Sequence, residues 1–240
     1  MMRNLESVVE DYVKKMRQDY GMIGAMVTGS YVAGNMGPNS DIDIFFIWNQ
    51  ENRSMRGREF YRSVEFEYFV SPEWKYYERL KSDLTSQQIY ATGQIIFDTD
   101  NVFRNIQKAA VGIFENYDPG LDMRERTDYS FYVETIMKDG IDMLAASELE
   151  NFCFLSGMHI PKLCNIVAKV RKHYPVYEKY AMEHLKAIDG KLHAMIIAFY
   201  KAEDKDGLGS TWTDLCKYVL SELGNIDIRN YQVVTDLNRE

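Results

Sequence analysis

The chain has 240 residues, 46% hydrophobic and 27% charged, with a formal net charge of -8. That composition excludes a disordered chain and supplies enough apolar residues for a core, while the acidity disfavours nucleic acid, whose binding rests on basic surfaces. No apolar run reaches the length of a membrane span, and the amphipathic opening MMRNLESVVEDYVKK fits neither a signal nor a transit peptide, so the expectation is a cytoplasmic protein without membrane contact. Cys153, Cys164 and Cys216 are odd in number and contain no CxxC pair, which points to buried reduced thiols. His159, His173, His184 and His193 show no HExxH spacing and suggest no zinc site.

Leu5, Val8, Val9, Tyr12, Val13 and Met16 recur at spacings of three and four, the mark of a helix, which Gly21 ends. Met22–Val27 reads as a short buried strand. Thr28-Gly29-Ser30 breaks it, and Tyr31–Asn35 suits a short helix. Gly37-Pro38-Asn39-Ser40 is a dense turn signal. Asp41–Trp48 then reads as a second buried strand that opens with two acids. Residues 49–59 look like a polar surface loop with Arg53, Arg56 and Arg58. Ser63–Val70 alternates β-branched, acidic and aromatic residues as a third strand, with Glu65 and Glu67 on one face. Trp74–Leu84 and Ser86–Gly93 look helical, Ile95–Phe97 extended, and Asn101 onward helical again. Asn116–Gly120 is the best linker. Beyond it, one stripe runs through Tyr129, Tyr132, Val133, Ile136, Met137, Ile141 and Leu144. Pro161 is placed near the first turn of a helix reaching about Tyr174, and further helices fall at 176–188, 191–203 and 211–223. The expected architecture is α+β: a mixed sheet flanked by helices over residues 1–117, then a helical bundle over 118–240.

The informative chemistry lies between the first two strands. A glycine lets the backbone approach a ligand closely, and the amides and hydroxyl of a Gly29-Ser30 turn suit a phosphate. Asp41 and Asp43, two apart on an extended chain, put two carboxylates on one side. Such neighbours repel unless a cation lies between them, and their hard oxygens select Mg²⁺ or Mn²⁺. The bland alternative is an Asx-type turn at Asn39-Ser40-Asp41 with a solvated Asp43. Against it, Ile42, Ile44, Phe45, Phe46 and Ile47 mark a central strand, where an acid needs a partner.

GSYVAGNMGPNSDIDIFFI, within residues 22–48, resembles the signature of the polymerase-β-like nucleotidyltransferase superfamily, and a weaker resemblance runs to about residue 110 through TGQIIFDTDNVFRNIQKAA. The helical half resembles the layout of aminoglycoside nucleotidyltransferases without a motif that matches residue by residue. The resemblance implies Mg²⁺-dependent transfer of a nucleoside monophosphate from an NTP such as ATP to an acceptor hydroxyl. Gly29 and Ser30 would hold the triphosphate, and Asp41 and Asp43 the metal. A third carboxylate, Glu65 or Glu67, would complete the site, with Glu67 preferred as nearer the strand middle. The expected partners are the NTP and a small acceptor, with an aminoglycoside-like cation suited to the acidic surface. The competing readings are a protein target, as in toxin–antitoxin pairs, and a non-catalytic nucleotide-binding module. Arg53, Arg56 and Arg58 are read first as a solvated loop, with contact to the triphosphate as the alternative; Lys162 and Arg171 as exposed helix charges rather than cleft residues; Glu148 and Glu150 as solvated helix acids rather than acceptor ligands or a base; and Tyr31, Trp74 and Tyr76 as packing residues rather than base-stacking ones.

Overall fold

The apolar stripe of the first segment forms helix α1 (Met2–Tyr20), with Val8, Val9, Tyr12, Val13 and Met16 all buried. Gly21 ends it with a left-handed φ of 69°. In the computed structural model, which describes residues 2–176 and 178–233, the chain divides into two compact units, Met1–Asn116 and Tyr117–Glu240. The fold is α+β, as the sequence suggests: strands and helices in the first unit, helices in the second.

The first unit is built on a five-stranded sheet of β1 (Gly24–Val27), β2 (Ile42–Ile47), β3 (Met55–Tyr61), β4 (Val64–Ser71) and β5 (Gln94–Asp98), in the order β3-β4-β2-β1-β5. Strand β2 runs antiparallel to β1 and parallel to β4, and the sheet is therefore mixed. The run of apolar residues that reads as a central strand does occupy the centre. Alternation then divides its side chains. Ile42, Ile44 and Phe46 join Ala25, Val27, Phe66 and Val70 under α1, where the Tyr12 ring stacks on Phe66 at 4.1 Å. On the other face Met26, Phe45 and Ile47 pack with Tyr76 of α3 (Glu73–Leu80), Tyr90 of α4 (Leu84–Thr92) and Phe103 of α5 (Val102–Glu115). The Tyr76 hydroxyl donates to the Phe46 carbonyl at 2.8 Å, so this ring is core, as its sequence context suggests.

The structure differs from the sequence reading at residues 49–59, where a loop is expected. Met55–Tyr61 is strand β3, paired antiparallel with β4 from Met55↔Val70 to Tyr61↔Val64. The two residues between the strands, Arg62 and Ser63, have φ of 49° and 64°. Positive φ at both central positions is the hairpin turn that suits the strand twist, but it usually carries Asn or Gly. Here neither residue signals it.

In the second unit, α6 (Met123–Ala145), α7 (Leu149–Val170), α8 (Ala181–Ile188), α9 (Gly190–Tyr200) and α10 (Lys205–Leu223) enclose Val133, Ile136, Phe152, Leu163, Leu192 and Trp212. Four expectations are corrected here. Pro161 lies deep inside α7, on its exposed side, where water can take the carbonyl that a proline leaves unpaired. Ile141 is exposed rather than part of the stripe, and so is Cys153, while Cys164 and Cys216 are buried and burial pushes their thiols up to about 11 and about 12. Helix α10 starts well before residue 211, because the Asp204 carboxylate caps it by accepting from the Gly207 amide at 2.7 Å. Asp189 caps α9 and is itself buried. Its carboxylate accepts from the Lys191 and Leu192 amides, each at 3.0 Å, and from the Tyr218 hydroxyl at 2.7 Å, and it pairs with Arg171 at 2.9 Å. Among the described residues no helix is long and apolar enough to cross a membrane.

Candidate active site

Strand β1 ends at Val27, and the chain turns at Thr28 into the short helix α2 (Gly29–Ala33). The Thr28 amide donates to the Asp43 carbonyl at 3.0 Å, which ties this bend to strand β2. Gly29 has φ of 69°, and a Cβ built on it would lie 2.6 Å from Oδ2 of Asp43. The glycine is thus required twice, by its backbone angle and by the carboxylate seated against it. After α2, Gly34 is left-handed at φ 70°, and a turn in which the Ser40 amide donates to the Gly37 carbonyl at 3.1 Å returns the chain to β2.

Asp41 sits just before β2 rather than in it, and Asp43 is its second residue. Both are half-buried. The parallel register sets Glu67 of β4 directly beside Asp43. Carboxylate oxygens of Asp41, Asp43 and Glu67 all come within 4.8 Å of one another. Glu65 lies one pleat further along and is paired to Arg58 at 2.8 Å, outside this group. The Asx-turn alternative accounts for the loop but not for three acids converging from two strands.

Three carboxylates so close are costly to hold together without positive charge. The donor set is all hard oxygen, from three side chains, and leaves room for water or phosphate ligands. That chemistry fits Mg²⁺ or Mn²⁺ rather than a soft metal. Helix α2 spans only five residues, too short to offer a ligand a helix dipole, and it leaves the Gly29 backbone and the half-buried Ser30 at the bend.

The sequence reading places Arg56 in a basic loop, solvated or reaching the triphosphate, and does not pair it with Glu67. Arg56 stands on β3, its Nε and Nη2 donating to Oε1 of Glu67 at 2.9 and 2.5 Å, and its guanidinium lies 5.0 Å from the Phe69 ring centre. The signal was present as charge complementarity across a hairpin, Arg-x-Arg before the turn and Glu-x-Glu after it. Trp74 is exposed, with its indole N–H on the Glu51 carbonyl at 3.0 Å. In the second unit Arg171 binds Asp189 and Glu222, Lys162 lies over the Tyr132 ring at 3.6 Å, and Glu148 accepts from Asn151. His159 is bonded to the Tyr132 hydroxyl at 2.5 Å.

Residues 9–99 match the family model described as a nucleotidyltransferase domain. Among solved structures the chain is similar to a nucleotidyltransferase-like protein from Exiguobacterium sibiricum, with a TM-score of 0.53 and 10% identity, over 89% of this chain and 74% of that one. At that identity the likeness is one of fold. No curated protein matches the sequence.

Proposed function

We propose, from the premise that residues 9–99 form a nucleotidyltransferase domain of the polymerase-β-like superfamily, that the protein moves AMP from ATP onto the hydroxyl of a small acceptor with the help of Mg²⁺. The observation that carries this reading is the convergence of Asp41, Asp43 and Glu67 within 4.8 Å, against the backbone of Gly29.

In this reading Asp41, Asp43 and Glu67 hold the divalent cation, which when bound supplies positive charge to the triphosphate and to the attacking oxygen. Gly29 brings backbone close to the phosphates, and Ser30 donates its hydroxyl to them. The acceptor oxygen forms a bond to the α-phosphorus as the bond to the β-phosphate oxygen breaks, and pyrophosphate leaves with that electron pair. The acceptor proton passes to Glu67. A net charge of -8 supports a cationic acceptor of the aminoglycoside class.

The test measures pyrophosphate release from each NTP with Mg²⁺ across a panel of aminoglycosides, sugars and nucleosides. Release with ATP and a hydroxylated cation, and a product heavier by one AMP, are expected. Label on a protein in place of a small molecule would overturn the acceptor assignment. Tight Mg·ATP binding without turnover on any acceptor, protein included, would overturn the catalytic one.

A further inference from the structure

Glu67 serves two groups at once. It belongs to the carboxylate triad, and its Oε1 takes both hydrogen bonds from Arg56. Oε1, which accepts both guanidinium N–H groups, has little lone-pair capacity left, and a cation that takes both oxygens of Glu67 has to displace Arg56. The pair is lopsided in exposure: the Glu67 side chain is 20% exposed and that of Arg56 is 70%. Glu67 is thus held in place by its strand, whereas Arg56 is free to leave. Phe69, directly across from Arg56 in the register, keeps the guanidinium on the same sheet face when the ion pair opens.

Resting on the metal-dependent reading above, we propose that Arg56 is a stand-in cation, which neutralises Glu67 in the metal-free protein and is displaced by the divalent ion. Once displaced it turns its donors to the anionic phosphates that arrive with the metal. Arg56 is therefore a positioning residue that couples ion entry to nucleotide grip. Its neighbour Arg58 pairs with Glu65, outside the triad, and has no such role.

The experiment follows Mn²⁺ binding by the loss of the free-ion paramagnetic signal, without nucleotide, in the wild type, Arg56→Gln, Arg58→Gln and Asp43→Asn. Both arginine variants remove one charge from the same exposed strand, so their difference isolates direct competition. Arg56→Gln binds Mn²⁺ about two- to fivefold more tightly than wild type, the span an exposed ion pair represents, and Arg58→Gln gains less than half of that. With a non-hydrolysable ATP analogue present, Arg56→Gln binds the analogue more weakly than wild type, and Arg56→Lys restores part of the loss. Equal or weaker Mn²⁺ binding in Arg56→Gln, or an equal gain in Arg58→Gln, overturns the competition. Unchanged analogue binding overturns the coupling. Asp43→Asn separates the two levels: if it binds Mn²⁺ as the wild type does, the cation lies elsewhere and both readings fall. If it loses binding while Arg56→Gln stays flat, only the role of Arg56 falls.

Discussion

The two faces of the central strand β2 have opposite fates. Ile42, Ile44 and Phe46 are completely buried beneath α1. On the other face Phe45 and Ile47 are covered by α3, α4 and α5, but Asp43, one pleat earlier, is only half-buried. The difference teaches how a small sheet can seat carboxylates beside its own core: it closes one face with α1 and leaves the other only partly covered at one end. Charge can then sit on a strand whose neighbours are fully desolvated.

The sharpest way to break this comparison is a pair of substitutions on opposite faces. Asp43→Asn lowers nucleotidyl transfer on the order of 10²–10³-fold, as loss of a preorganised charge contact does, and leaves the thermal melt unchanged. Phe46→Ala costs about 3–5 kcal/mol of stability in denaturant unfolding, through the cavity left under α1. If Asp43→Asn unfolds the protein instead, the two faces do not divide structure from chemistry. Next in size is Gly29→Ala. Its left-handed φ costs about 1–2 kcal/mol, and the new methyl displaces the Asp43 carboxylate, so the variant loses both stability and Mn²⁺ affinity. Native stability with native turnover would show that the bend and the carboxylate are not coupled.

The smallest effect comes from a contrasting acid in the second unit. Asp189 is buried like a core residue and its two oxygens face amide, hydroxyl and guanidinium donors, whereas Asp41, Asp43 and Glu67 face one another. Burial opposes ionisation of Asp189, yet the Leu192 amide, the Tyr218 hydroxyl, Arg171 and the Lys191 amide together hold its carboxyl below the usual range. A depressed folded pKa stabilises fully above the unfolded value and is lost as pH falls through the folded one. Unfolding of the second unit therefore becomes easier as pH drops below about 4. Asp189→Asn weakens that unit at neutral pH and flattens its acid response, read from hydrogen exchange in α8–α10 against pH.

Most of the first unit is legible from its residues because its signals are local. The helical stripe of α1, the buried run of β2 and the Gly-Ser break each rest on neighbours in sequence. Asp41 and Asp43 could be singled out for the same reason. Glu67 is preferred over Glu65 in sequence only for its place nearer the strand middle, since both occupy one strand face, and it is the parallel register with β2 that sets Glu67 beside Asp43. Strand β3 was hidden because Arg62 and Ser63 make a turn that normally announces itself with glycine or asparagine, and because its arginines mimic a solvated loop. The start of α10 was masked by Gly207 and Gly209, which weaken the helical pattern that the Asp204 cap restores.

The hairpin that delivers Glu67 also terminates the sheet. Among the described residues β3 has a neighbouring strand on one side only, and an open row of backbone donors and acceptors invites another molecule to add a strand. Arg56, Arg58 and Glu59 line that rim with full charges and exposed guanidinium groups. An incoming β3 would have to bring its own arginines alongside them. The arginine proposed to act on the acidic centre thus also stands on an open sheet edge, where charge opposes the addition of a like-charged strand, so a change at the rim bears on association as well as on turnover.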